Sequence, residues 1–151
     1  MKALIQRVSS ASVQSDNEVL GKIEQGLVVL LGVEQNDQTH DGQILAKKLA
    51  DLRIFSNDEG KFDYSLRDIK GEILIISQFT LCADYKKGRR PSFTQASSPN
   101  DAKELYLNFI KIFQNDPQIS HVATGRFAAD MQVTINNNGP VTMQLDSAQL
   151  K

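Results

Sequence analysis

Three short stretches of this chain bring together, at close spacing, residue types that could do chemistry. Ser77-Gln78-Phe79-Thr80-Leu81 packs two hydroxyls, a carboxamide and an aromatic ring into five residues, directly after the apolar run Glu72 to Ser77, which reads as a buried strand. A strand end holds donors in fixed positions, so this segment could aim them at a ligand; it could equally be an ordinary strand end whose hydroxyls satisfy backbone groups. Asn137-Asn138-Gly139-Pro140 reads as the turn of a hairpin, yet a proline at the first position of a returning strand has no N–H to offer the ladder. Gly139-Pro140 is therefore either a plain turn or a device for something else. Lys86, Lys87, Arg89 and Arg90, set around Gly88, could grip phosphates at the mouth of a site or simply be a solvated loop.

Other chemistries lack support. Cys82 is the only cysteine, which excludes an intramolecular disulfide and a multi-cysteine metal site, and with no histidine near it in sequence it reads as a buried structural thiol. His40 and His121 are far apart and neither is paired with a carboxylate at a catalytic spacing. There is no HExxH, no Walker loop and no GxGxxG, so metal, nucleotide and dinucleotide chemistry find no motif.

The elements that must position these residues can be read from periodicity. Leu4, Gln6 and Val8, continuing to Ala11 and Val13, alternate as in a strand, and Leu27 to Val33 is an aliphatic, β-branched run expected to be a buried central strand. Thr39 is the expected N-cap of a helix from about His40 to Leu52, with Ile44, Leu45, Leu49 and Leu52 on one stripe and Lys47 and Lys48 facing water. A long basic loop spans Asp84 to Ser98. A second helix is expected from Ser98-Pro99, with Ala102, Leu105, Tyr106, Phe109 and Phe113 buried. Met131, Val133 and Ile135, then Val141, Met143 and Leu145, alternate on either side of the Asn137–Pro140 turn, the pattern of a hairpin. Antiparallel hairpins with two helices, without regular βαβ alternation, give an α+β class.

The bulk properties agree with one compact domain over residues 1–151: the chain is 40% hydrophobic and 23% charged, and its formal net charge of −1 argues against coating nucleic acid through a global positive field. Any RNA contact must be local. No apolar run approaches the ~20 residues of a membrane span, and the N-terminus alternates at once instead of forming a signal-peptide core, so the expected location is the cytoplasm.

The phrases ALIQRV from Ala3, GLVVLLGVE from Gly26, LADLRIF from Leu49, ISQFTL from Ile76, GRRPSF from Gly88 and NGPVT from Asn138 resemble, in order and spacing, the D-aminoacyl-tRNA deacylase family over about Met1 to Asp146. The resemblance implies antiparallel β-barrel-like sheets with two main helices, and a homodimer in which each site receives the Gly-Pro turn of the other subunit. It implies a cis Gly139-Pro140 bond, whose carbonyls would face the substrate α-carbon and exclude an L side chain. The implied reaction is hydrolysis of D-aminoacyl-tRNA, and of glycine misplaced on alanine tRNA, without metal or organic cofactor.

Carried onto this chain, the family implies a catalytic group of Ser77, Gln78, Phe79 and Thr80. Main-chain N–H groups around Phe79 and Thr80 would serve as oxyanion donors, Gln78 would position ester or water, and Ser77 would brace the strand end. Phe127 and Met131 would line the adenosine pocket, and Arg7 would buttress the inserted turn. At Ala128 the family usually has glycine; if that position needs positive φ, adenosine binding could be altered. Two other readings stand beside this one. A non-catalytic tRNA-binding module would use Phe79, Phe127 and the basic loop, and a small-ester hydrolase would use Thr80 as nucleophile, although no base is visible to activate it.

Overall fold

The two strongest apolar runs become central strands because both of their faces are covered. In the computed structural model, which describes residues 1–151, the strands are β1 (Lys2–Ser15), β2 (Glu18–Ile23), β3 (Gly26–Gly32), β4 (Phe55–Ser56), β5 (Phe62–Tyr64), β6 (Glu72–Ser77), β7 (His121–Thr124) and β8 (Gln132–Asp146). The helices are α1 (Thr39–Asp51) and α2 (Pro99–Gln114), with 3-10 turns at Phe79–Cys82 and Ser147–Gln149. The main sheet runs β2-β1-β3-β6-β7, with β8 on the free side of β1. It curls on itself: a Cβ at Gly21 of β2 would stand only 3.0 Å from the Thr124 carbonyl oxygen of β7, so the glycine permits the near-closure of a barrel.

Strand alternation feeds two cores. Leu27, Val29 and Leu31 with Ile73 and Ile75 join Leu45, Leu49, Phe109 and Phe113 under the helices. Val28, Leu74 and Ile76 point the other way, to Val8, Val13, Ile23 and Ala123 inside the curl. β1 changes face part-way, since Ala3 and Ile5 belong to the first core and Val8, Ala11 and Val13 to the second.

The α+β class with two helices holds, and three details differ from the sequence reading. The sheet is mixed, because β3–β6 and β6–β7 pair in parallel; α1 lies between the first pair in the chain and α2 between the second, and a parallel pair needs such a crossover. α1 starts one residue early: Thr39 is its first helical residue and Gln38 its cap, with the Asp41 carboxylate accepting the Gln38 backbone N–H at 2.9 Å. α2 begins as expected, the Ser98 hydroxyl accepting the Asp101 N–H.

The third difference matters most. There is no hairpin at Asn137–Pro140: both halves of β8 pair with β1 in one antiparallel direction, Met143 opposite Ile5 and Ile135 opposite Ala11. Thr142 faces Gln6 and Asn137 faces Val8, so Asn138, Gly139, Pro140 and Val141 are looped out opposite the single residue Arg7. The turn signals are real, but a 14-residue β1 offers a continuous partner to the two half-strands end to end.

Candidate active site

The site grows from the end of β6. The Gln78 N–H makes the last rung, to the Leu31 carbonyl at 2.7 Å, and the chain then tightens into the 3-10 turn Phe79–Cys82. Gly32 makes room for that turn, since a Cβ there would stand 3.0 Å from both the Gln78 carbonyl oxygen and Leu81 Cβ. The first bond of the turn runs from the Leu81 N–H to the Gln78 carbonyl at 3.2 Å. A 3-10 turn leaves the N–H groups ahead of that bond without an internal partner, and here they are those of Phe79 and Thr80.

Side chains sort themselves around this turn. The Gln78 carboxamide donates to the Thr80 hydroxyl. Phe79, 58% exposed, meets the edge of Phe93 at 4.9 Å between ring centres. Cys82 points inward, its thiol donating to the Val33 carbonyl at 3.5 Å, and burial pushes it up to about 11, so it is an inert thiol at neutral pH.

Beside the turn lies a cleft of about 590 Å³. Ser77, Gln78 and Phe79 form one wall, and Phe93, Ser97 and Pro99 come from the approach to α2. The segment Phe127 to Met131 also lines the cleft, as does Tyr106. Tyr106 is buried; its hydroxyl donates to the Ile75 carbonyl at 2.8 Å and burial raises its phenol well above the usual range. Its ring lies 5.7 Å from that of Phe127. Gly125 accommodates Met131, whose sulfur would be 2.5 Å from a Cβ at that position. The cleft is mostly apolar, with Ser77, Gln78, Ser97 and Asp130 as its polar lining residues, the ordinary composition of a small-molecule subsite.

A second cluster forms around Arg7, away from these lining residues. Arg7 Nη1 donates to the Ile54 carbonyl at 2.6 Å and Nε to the Asn138 carbonyl at 3.2 Å, while the guanidinium stands 5.4 Å from the Phe62 ring centre. The looped-out turn is thus tied down at its first residue. Gly139 has φ +125 and the Gly139-Pro140 bond is cis, with both residues exposed.

A family model described as D-Tyr-tRNA(Tyr) deacylase matches residues 4–146. The chain belongs to that family. Similar curated proteins include a D-aminoacyl-tRNA deacylase of Fervidobacterium nodosum, 50% identical over 150 residues and 99% of each chain. One from Dehalococcoides mccartyi is 52% identical over 147 residues, 97% of this chain and 95% of its own. Among solved structures, the c-Myc DNA Unwinding Element Binding Protein superposes with TM-score 0.91 at 37% identity, covering 97% of this chain and 98% of its own. A structure of a probable eukaryotic D-amino acid tRNA deacylase, TM-score 0.76 at 16% identity over 96% of this chain and 98% of its own, shares the fold. As a member of the deacylase family the chain is an ester hydrolase.

The cleft brings together Ser77, Gln78, Phe79, Phe127 and Met131, five residues that the sequence singled out. Thr80 is not among its lining residues and is linked to them through Gln78. Arg7, Gly139 and Pro140 gather at the other cluster, outside the cleft of their own chain. Ala128 does stand at φ +60, the left-handed region that favours glycine, on the cleft wall. Sequence reasoning missed Phe93, Tyr106 and Phe62. Tyr106 was legible only as one member of a buried helical stripe, and Phe93 only as the last residue of GRRPSF. No group of three or more His, Cys, Asp or Glu side chains is arranged to hold a metal ion, and no helix is long and apolar enough to cross a membrane.

Proposed function

We propose that the chain hydrolyses the ester joining a D-amino acid to the terminal adenosine of tRNA, with residues 1–151 acting as one deacylase domain. One observation carries this reading: in a chain of the deacylase family, Ser77, Gln78 and Phe79 at a strand end share a single cleft with Phe127 and Met131. An adenine fits among the apolar lining residues where Phe127 offers a ring to stack on, and its ribose ester then lies toward Ser77 and Gln78.

Water adds to the ester carbonyl, the bond to the ribose oxygen breaks, and that oxygen takes up a proton. The products are the free amino acid and tRNA. The N–H groups of Phe79 and Thr80 stabilise the oxyanion that forms on the way, an effect of roughly 2.7–4 kcal/mol per donor in other hydrolases. Gln78 positions ester or water, Ser77 braces the strand end, and the 2′-hydroxyl of the terminal adenosine assists. The placement of Thr80 off the cleft lining, its hydroxyl taken up by Gln78, favours water over Thr80 as the nucleophile.

Stereochemistry is the task of the other cluster. In a homodimer, the Gly139-Pro140 turn of each subunit enters the cleft of its partner and blocks the position of an L side chain. Its exposure, its absence from the lining of its own chain's cleft and its tether to Arg7 support that role. A wall of main-chain atoms ignores which D side chain points outward and admits achiral glycine, so glycyl-tRNA mischarged on alanine tRNA is a second substrate. An apolar pocket alone discriminates by only about 1–3 kcal/mol. The enzyme works in the cytoplasm and needs no metal or organic cofactor.

The test is ester loss from tyrosyl-tRNA charged with D- or L-tyrosine, with chelator present. Fast loss of the D ester alone is expected. Equal loss of both overturns the chiral filter, and loss of neither returns the chain to a tRNA-binding module.

A further inference from the structure

The deacylase chemistry leaves one conspicuous segment unused. Residues 84–92 carry Tyr85, Lys86, Lys87, Arg89 and Arg90 around Gly88, in a chain whose formal net charge is −1. Two backbone hydrogen bonds, Asp84 N–H to the Ser92 carbonyl at 2.8 Å and Ser92 N–H to the Asp84 carbonyl at 2.7 Å, close the segment into a narrow ribbon. Gly88 at φ +73 turns its tip, with nothing within 4 Å of the place where a Cβ would begin.

The charges on this ribbon are uncompensated. Arg53, Arg67 and Arg126 each meet a carboxylate, whereas Lys86, Lys87, Arg89 and Arg90 form no ion pair and are exposed. The one carboxylate at its base, Asp84, accepts the Lys86 backbone N–H at 3.0 Å. Tyr85 is 78% exposed, an aromatic ring in water beside the four cations. Like charges on one short ribbon repel one another, and an anion that neutralises them is bound favourably.

The base of the ribbon is fixed to the cleft. Phe93, next to Ser92, touches the Phe79 edge at 4.9 Å, and both rings line the cleft. Behind it, Gln35 Nε2 donates to the Thr94 carbonyl at 2.6 Å and the Ser97 N–H to the Val33 carbonyl at 3.0 Å. A mobile loop would not need these ties. Four exposed cations following an exposed tyrosine, on a ribbon whose base reaches the cleft, match a nucleic-acid backbone that continues out of that cleft.

We infer that ribbon 84–92 binds the acceptor-strand phosphates of tRNA next to the ester-bearing adenosine, with Tyr85 presenting its ring to an unpaired base. This rests on the reading of tRNA as substrate. It assigns to the ribbon the binding that the cleft cannot supply, because the ester and its adenosine are common to every aminoacyl fragment, and contact with the rest of the molecule lies outside.

The experiment compares wild type with K86A/K87A/R89A/R90A on two substrates, D-tyrosyl-tRNA and the 3′-D-tyrosyl ester of adenosine, between 50 and 200 mM salt. Each phosphate contact makes kcat/KM fall about threefold over that range, so for three or four contacts the wild type loses about 30- to 80-fold on tRNA. The variant is expected to lose that salt dependence and to show a raised KM on tRNA with kcat unchanged. On the adenosine ester the two proteins should be equal, which also shows that the variant is folded. K47A/K48A, neutralising two exposed lysines of α1, should keep the wild-type salt slope. An unchanged slope and KM in the quadruple variant overturns the inference, as does an equal loss on the adenosine ester or an equal loss per charge in K47A/K48A. Wild type that hydrolyses neither substrate overturns the deacylase reading itself, and this inference with it.

Discussion

Enlarging Gly139 by one methyl group tests the proposed chiral wall at a position where there is no room for a side chain. A Cβ built there stands 2.7 Å from Val141 Cγ2, 2.9 Å from Arg7 Nη2 and 3.0 Å from the Val141 backbone nitrogen. The arginine tip can give way, but Val141 is buried and its nitrogen is main chain. The turn must therefore move by several tenths of an ångström. The residue also sits at φ +125, where an L side chain costs roughly 1–3 kcal/mol. For a domain of this size that lowers Tm by about 2–4 °C per kcal/mol, hence by about 2–12 °C. Single-turnover rates on D- and L-tyrosyl-tRNA then report selectivity. With the wall displaced, discrimination falls toward the ~10–200-fold that an apolar pocket provides, the D reaction slowing and the L reaction emerging. A Gly139→Ala protein whose Tm drops as expected but whose D-over-L ratio is unchanged refutes the reasoning, since the turn would have moved without consequence.

Three further outcomes follow from the geometry. Thr80→Ala should keep activity within about tenfold of wild type in the same assay, whereas loss of a true nucleophile costs several orders of magnitude. Ala128→Gly should raise stability by about 0.5–1 kcal/mol in urea unfolding, because relief of the left-handed conformation exceeds the extra freedom of glycine in the unfolded chain; a fall would show that φ +60 is not strained there. Burial pushes the Asp41 carboxyl up, but hydrogen bonds from Lys151, the Gln38 N–H and Ser147 outweigh it and hold the group at about 2 against an ordinary 3.8. A carboxyl depressed by folding stabilises the native state above the unfolded value and ceases to as pH falls through the folded one. Asp41→Asn should therefore lower Tm near neutrality and flatten its pH dependence between about pH 4 and 2; melts that stay parallel to wild type through that window would count against the assignment.

Elements whose signal is local were legible in the sequence. The β3 and β6 runs announce burial on both faces, and Ser98-Pro99 with the Phe109 and Phe113 stripe announces α2 and its start. Pairing was not legible, because it depends on what lies opposite. Asn-Asn-Gly-Pro reads the same whether the flanking strands fold back on each other or continue along a third, and only β1 decides. One hint was present: Met131, Val133, Ile135, Val141, Met143 and Leu145 keep the same odd-numbered phase across the turn. The β3–β6 parallel pair was hidden because α1 and β6 are separated by the short β4–β5 ribbon, and the β6–β7 pair because the 3-10 turn and the basic segment intervene between β6 and α2, so that the βαβ rhythm is obscured. At the site, residues with functional groups were found from their types. Tyr106 and Phe93 were not, since an apolar wall carries no signature that distinguishes it from core.

The looped-out segment opposite Arg7 interrupts an edge strand part-way along its length, with paired residues of β8 on either side. Ladder bonds hold both of its ends, so it has no hinge of its own and cannot open while β1 and β8 stay paired. Its stiffness is borrowed from the whole domain. With the turn as the proposed chiral wall, damage elsewhere in the protein should thus leave fidelity intact until the sheet itself gives way, so that errors arise from the few molecules that have come apart and not from a general softening of all of them.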